Sequence, residues 1–68
     1  MSFEKRVLNA VIEYLGNPHA AEFYNGTLFV DCSATEALDI GRALEKVVTG
    51  GINICSQCNG EYSFDFTL

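Results

Sequence analysis

The pair Asn25-Gly26 stands between "AAEFY" and "TLFVD", two short runs in which apolar and polar side chains alternate. A two-residue type I′ turn needs positive φ at both central positions, and Asn followed by Gly tolerates this best. The chain is therefore expected to double back here, pairing Tyr24 with Thr27, Phe23 with Leu28, Glu22 with Phe29 and Ala21 with Val30. Because side chains alternate across a strand, Ala21, Phe23, Leu28, Val30 and Cys32 then share one face, while Glu22, Tyr24, Thr27, Phe29 and Asp31 share the other.

Asn59-Gly60 repeats the signal 34 residues later, half the chain length on. A two-residue loop at this point would place Ile52 and Ile54 on the face opposite Phe64 and Phe66, splitting the apolar set. A three-residue loop of Cys58, Asn59 and Gly60, with Gly60 left-handed in a G1 bulge, instead pairs Ser56 with Tyr62, Ile54 with Phe64 and Ile52 with Phe66. Asn53, Cys55, Gln57, Glu61, Ser63 and Asp65 then fall on the other face. The three-residue register is the one expected.

A helical pattern precedes each hairpin. Ser2 can cap the first, in which Phe3, Val7, Ala10, Val11 and Tyr14 recur at helical spacing, Gly16 is a stop and Pro18 prevents continuation. Ser33 with Glu36 three residues on forms a capping box for the second, with Ala37, Ile40, Gly41, Leu44, Val47 and Val48 as the inward stripe and Gly50-Gly51 as its end. The expected fold class is α+β: an αββαββ chain with a four-stranded antiparallel sheet and both helices packed on one face. The 34-residue offset, which also relates Gly16 to Gly50 and Asp31 to Asp65, suggests an internal pseudo-repeat.

Residues 1–68 make a single domain, of a size that buries only about 60% of the unfolded chain's surface on folding. With 49% hydrophobic residues the chain is ordered in composition, though a homodimer is compatible with so small a core. No apolar run approaches the roughly 20 residues that cross a bilayer, and no secretory pattern opens the sequence, so a cytoplasmic location with reduced cysteines is expected. Nine carboxylates against four basic side chains give a net charge of −5. That balance disfavours direct contact with nucleic acid or an anionic membrane surface.

The side of the sheet away from the helices should carry Glu22, Tyr24, Phe29, Asp31, Glu61 and Asp65, with no Lys or Arg. RNA-binding sheet faces combine stacking aromatics with cations; this one has the aromatics and the opposite charge. The expected role is a small, acidic, non-enzymatic binding module or inhibitor, in which these six residues dock on a basic surface of another protein. Aromatic anchors supply affinity and carboxylates supply steering. In a sharper form the acids imitate a nucleic-acid backbone and occupy the groove of a nucleic-acid enzyme, as compact acidic inhibitors from phages and mobile elements do, anti-CRISPR proteins among them. That analogy is one of size and charge, not of sequence.

The alternative rests on "CSQC". Cys55 and Cys58 have the spacing of one zinc-ribbon knuckle, which would make the chain a zinc-linked or redox structural module. No second Cys-x-x-Cys completes four ligands, and Cys32 is expected on the opposite face, so no metal and no cofactor is the expectation. His19, in "GNPHA", is the lone histidine and a loop residue. With dispersed carboxylates and no Gly-rich loop entering a helix, no catalytic constellation emerges.

Overall fold

A computed structural model describes residues 2–57 and 59–67. The element order is α1 (Phe3–Leu15), β1 (Ala21–Tyr24), β2 (Thr27–Asp31), α2 (Ala34–Leu44), β3 (Gly51–Ser56) and β4 (Glu61–Thr67). The strands form one antiparallel sheet in the order β1-β2-β4-β3, so the two hairpins meet through β2 and β4.

The turns act as their residues dictate. Asn25 and Gly26 both take positive φ, 52° and 81°, and the register of β1 against β2 runs from Tyr24↔Thr27 to Ala21↔Val30. In the second hairpin Gly60 has φ of 82°, and the pairs Ser56↔Tyr62, Ile54↔Phe64 and Ile52↔Phe66 are those of the three-residue loop. Cys58 lies outside the described residues.

Ser2 Oγ accepts from the Lys5 amide at the start of α1, and left-handed Gly16 closes that helix by donating its N–H to the Ile12 carbonyl at 2.7 Å. Ser33 and Glu36 form the reciprocal capping box on α2, with bonds of 3.2 and 2.9 Å. The far end of α2 departs from expectation. Regular helix stops at Leu44 rather than at Gly50-Gly51, and the chain tightens through i to i−3 bonds from Lys46 to Ala43 and Val47 to Leu44. A Val47-Val48-Thr49 run of stiff β-branched side chains follows, which explains why the helix does not continue through it. Val48 is nevertheless buried.

Both helices lie on one side of the sheet. Val7 and Val11 of α1, and Ala37, Ile40 and Leu44 of α2, enclose Leu28, Val30 and Phe64 on the central strands. Phe66 meets Phe3 edge-on at 5.4 Å and Phe23 at 6.1 Å, closing the core beside the start of α1. Tyr14, expected in the apolar stripe, is instead 45% exposed at the seam between the helices, where its hydroxyl donates to Asp39 Oδ2 at 3.0 Å. A phenol at the rim of a two-helix layer keeps its ring against the neighbouring helix and its polar tip in water. Ile54 faces the helices yet is 37% exposed, because it sits on an edge strand that α2 covers only in part.

Candidate functional site: the open sheet face

The register arranges the uncovered face in cross-strand rows. Glu22, Phe29, Ser63 and Cys55 form the middle row from β1 to β3. Asp31 and Glu61 stand opposite each other in the row toward the start of β4. On the other side of the middle row lie Tyr24, Thr27, Asp65 and Asn53. Successive rows are about 7 Å apart, and directly opposed Cβ atoms about 5 Å apart.

Of the six residues expected to bind a partner, four converge. Glu22, Phe29, Asp31 and Glu61 line an open concavity of about 300 Å³, whose remaining wall is Pro18, His19, Ala20 and Ala21. Tyr24 is 67% exposed but lies in the far row, and Asp65 shares that row, where its carboxylate accepts from the Thr27 hydroxyl at 2.6 Å. Asp65 is therefore a strand-to-strand tie and not part of the acidic cluster.

The wall of the concavity comes from the connection between α1 and β1. Asn17 Oδ1 accepts from the His19 amide at 3.0 Å, and the Asn17 carbonyl accepts from the Ala20 amide at 3.2 Å. This Asx-type turn fixes Pro18 and His19 beside the end of β2, where the Asp31 amide donates to the Ala20 carbonyl. His19 thus borders the acids, a placement that reading it as an isolated loop residue missed. Asn17-Pro18 is the local signal for the turn, but its direction depends on how the helix meets the sheet.

Ser63, expected on the solvent side, is only 5% exposed, since the Gln57 side-chain Nε2 donates to its hydroxyl at 2.9 Å in a patch shared with half-buried Phe29. The centre of the face therefore presents half-buried Phe29 beside a covered Ser63, with carboxylates at one end. Asn59 donates to Glu61 Oε1 at 3.0 Å, which holds that carboxylate near the hairpin tip.

Cys55 lies exposed on this face, and Cys32 is half-buried against the core on the other side of the sheet, so the two do not share a site. Burial, helped by the negative charges of Glu36 and Asp31, pushes the Cys32 thiol above its ordinary value. Among the described residues no group of three or more His, Cys, Asp and Glu side chains is arranged to hold a metal ion. Nor is any described helix long and apolar enough to cross a membrane.

Comparison with known proteins brings no match among family models, curated sequences or solved structures.

Proposed function

We propose that this chain is a small acidic binding module that docks the Glu22, Asp31 and Glu61 end of its open sheet face on a basic surface of another protein, with Phe29 as the apolar anchor. The observation that carries this reading is the Asp31 and Glu61 pair. Like charges directly opposite on neighbouring strands destabilise a sheet by about 0.2–1 kcal/mol, and no cation occupies the described positions of this face to offset them. A cationic partner surface supplies the missing charge, and half-buried Phe29 beside the acids gives it an apolar contact.

A sharper form follows from the spacing. Glu22, Asp31 and Glu61, spaced in succession about 7–8 Å along the diagonal and about 5 Å across the strands, present a short run of negative charge to a groove that ordinarily receives phosphates. The partner in that form is a nucleic-acid-binding enzyme, and the chain acts as its inhibitor.

The test is affinity capture from the native cell's lysate with the wild type, with a triple Lys variant at Glu22, Asp31 and Glu61, and with Asp65→Asn as a control. Each variant is first checked for wild-type circular dichroism. The reading expects one protein retained by the wild type and by Asp65→Asn, lost from the triple variant, and released by added salt. Capture indifferent to the triple substitution overturns it. If the retained protein binds nucleic acid and the wild type displaces that nucleic acid competitively, the inhibitor form stands.

A further inference from the structure

The two free edges of the sheet differ in a way that the acidic face does not explain. β1 is short, four residues, and carries Glu22. β3 has six residues, GINICS, with no charge and no proline, and nearly its whole length is exposed. Edge strands in monomeric proteins are ordinarily blunted by charges, prolines, bulges or brevity, because their unpaired backbone groups recruit another strand. β3 has none of these protections.

The hydrogen-bond phase shows which groups are unpaired. The Gln57 amide donates to the Glu61 carbonyl at 2.8 Å, which makes this a bonded pair. Antiparallel pairs alternate, so Cys55↔Ser63 and Asn53↔Asp65 are bonded in turn, and Ile52, Ile54 and Ser56 direct their N–H and C=O groups to the free edge. On the helical side of this edge Leu38 is 60% exposed and Ile54 37%. Both line an open groove of about 390 Å³ together with Arg42, Glu45 and the glycines before Ile52.

We propose that this edge pairs with the same edge of a second copy of the chain, β3 antiparallel to β3, joining two sheets into one of eight strands with Leu38 and Ile54 packed across the two-fold axis. Charge selects the occupant. A chain of net charge −5 repels its copy over most of its surface, but this groove is a neutral strand flanked by one charge of each sign, Glu45 and Arg42. Asp39 approaches Arg42 only at 3.9 Å in an exposed pair, so Arg42 of one copy can meet Glu45 of the other when rotated. Pairing through β1 would instead set Glu22 of one copy near Glu22 of the other. The arrangement also leaves the acidic end of the open face uncovered, so it stands independently of the docking reading.

Sedimentation velocity of the whole chain from about 1 to about 500 µM tests this, since a strand pair with one apolar flank is at the small end of specific interfaces and a micromolar dissociation constant is expected. Two variants avoid the fold itself. Ser56→Pro deletes only an outward-facing edge donor, and Leu38→Glu charges a side chain that is already mostly in solvent. Each should weaken the dimer at least about 10-fold with unchanged circular dichroism. In the wild type, amide exchange at Ile54 and Ser56 should slow as concentration rises. A wild type that sediments as a 7.5 kDa monomer throughout overturns the proposal. So does a dimer that both variants leave intact, or Ile54 and Ser56 amides whose exchange ignores concentration.

Discussion

Asp31 and Glu61 face each other across the central β2 and β4 pair, two carboxylates in directly opposed register on the uncovered side of the sheet. The fold meets a repulsion here that a single substitution would relieve. Glu61→Gln, which keeps the acceptor for Asn59, is expected to raise stability by about 0.2–1 kcal/mol in urea denaturation at low salt, with the gain shrinking as salt is added. The same variant should lose partner capture. Stability and binding moving in opposite directions is the signature of a residue kept for contact; a stability loss would mean that the pair is already compensated.

Phe64 is fully buried at the junction of both hairpins, against Leu28 on one side and Ile54 on the other. Removing a buried Phe side chain costs about 3–5 kcal/mol, comparable with the whole stability of about 3–10 kcal/mol expected for a chain of this length. Phe64→Ala should therefore be largely unfolded at 37 °C by circular dichroism and amide NMR dispersion. Phe64→Leu, which preserves most of the volume, should fold with a lowered midpoint.

Two glycines separate backbone need from packing need. Gly16 has φ of 72° with open space where a Cβ would go, so Gly16→Ala should cost about 1 kcal/mol through strain alone. Gly41 is ordinary helix in conformation, and a Cβ there would meet Ile54 Cδ1 at 2.8 Å. That atom is the end of a flexible side chain on a partly open edge. Gly41→Ala should thus gain helix propensity of about 1 kcal/mol, spend much of it on rotating Ile54, and finish within about 0.5 kcal/mol of wild type. Thermal melts of the two variants, and the Ile54 methyl shift in the second, check this contrast.

Hairpin registers were legible because each rests on local chemistry: Asn25-Gly26 admits only the tight turn, and the apolar set of Ile52, Ile54, Phe64 and Phe66 rejects the two-residue loop in the second. The capping box at Ser33 was legible for the same reason. Strand order was not, since β2 meets β4 through the shared burial of Leu28, Val30, Tyr62 and Phe64, which no turn residue specifies. The degree of burial of particular side chains was not legible either, since it depends on neighbours outside each element. An edge position exposes Ile54, a helix seam exposes Tyr14, and a neighbouring Gln57 buries Ser63. The acidic inventory could be read from alternation, but its division into a Glu22, Asp31 and Glu61 cluster and a separate Thr27 and Asp65 tie required the register of β2 against β4.

The Tyr14 and Asp39 bond joins the two helices and carries a pH dependence. The phenol donates to the Asp39 carboxylate, and this bond, with the adjacent negative charge, raises the Tyr14 hydroxyl above its ordinary value of 10.0. A group whose folded pKa lies above its unfolded one favours the folded state while it is protonated. The contribution is fully present below about pH 10 and is lost as pH rises through the raised folded value. Tyr14→Phe should lower stability at neutral pH and flatten the alkaline limb, so that the wild-type and variant urea midpoints converge above pH 10. Tyrosinate absorbance, read as the difference between wild type and Tyr14→Phe, should place the Tyr14 transition at higher pH in the folded chain than in urea. Parallel midpoints across the alkaline range would show that the bond adds nothing to the packing of α1 on α2.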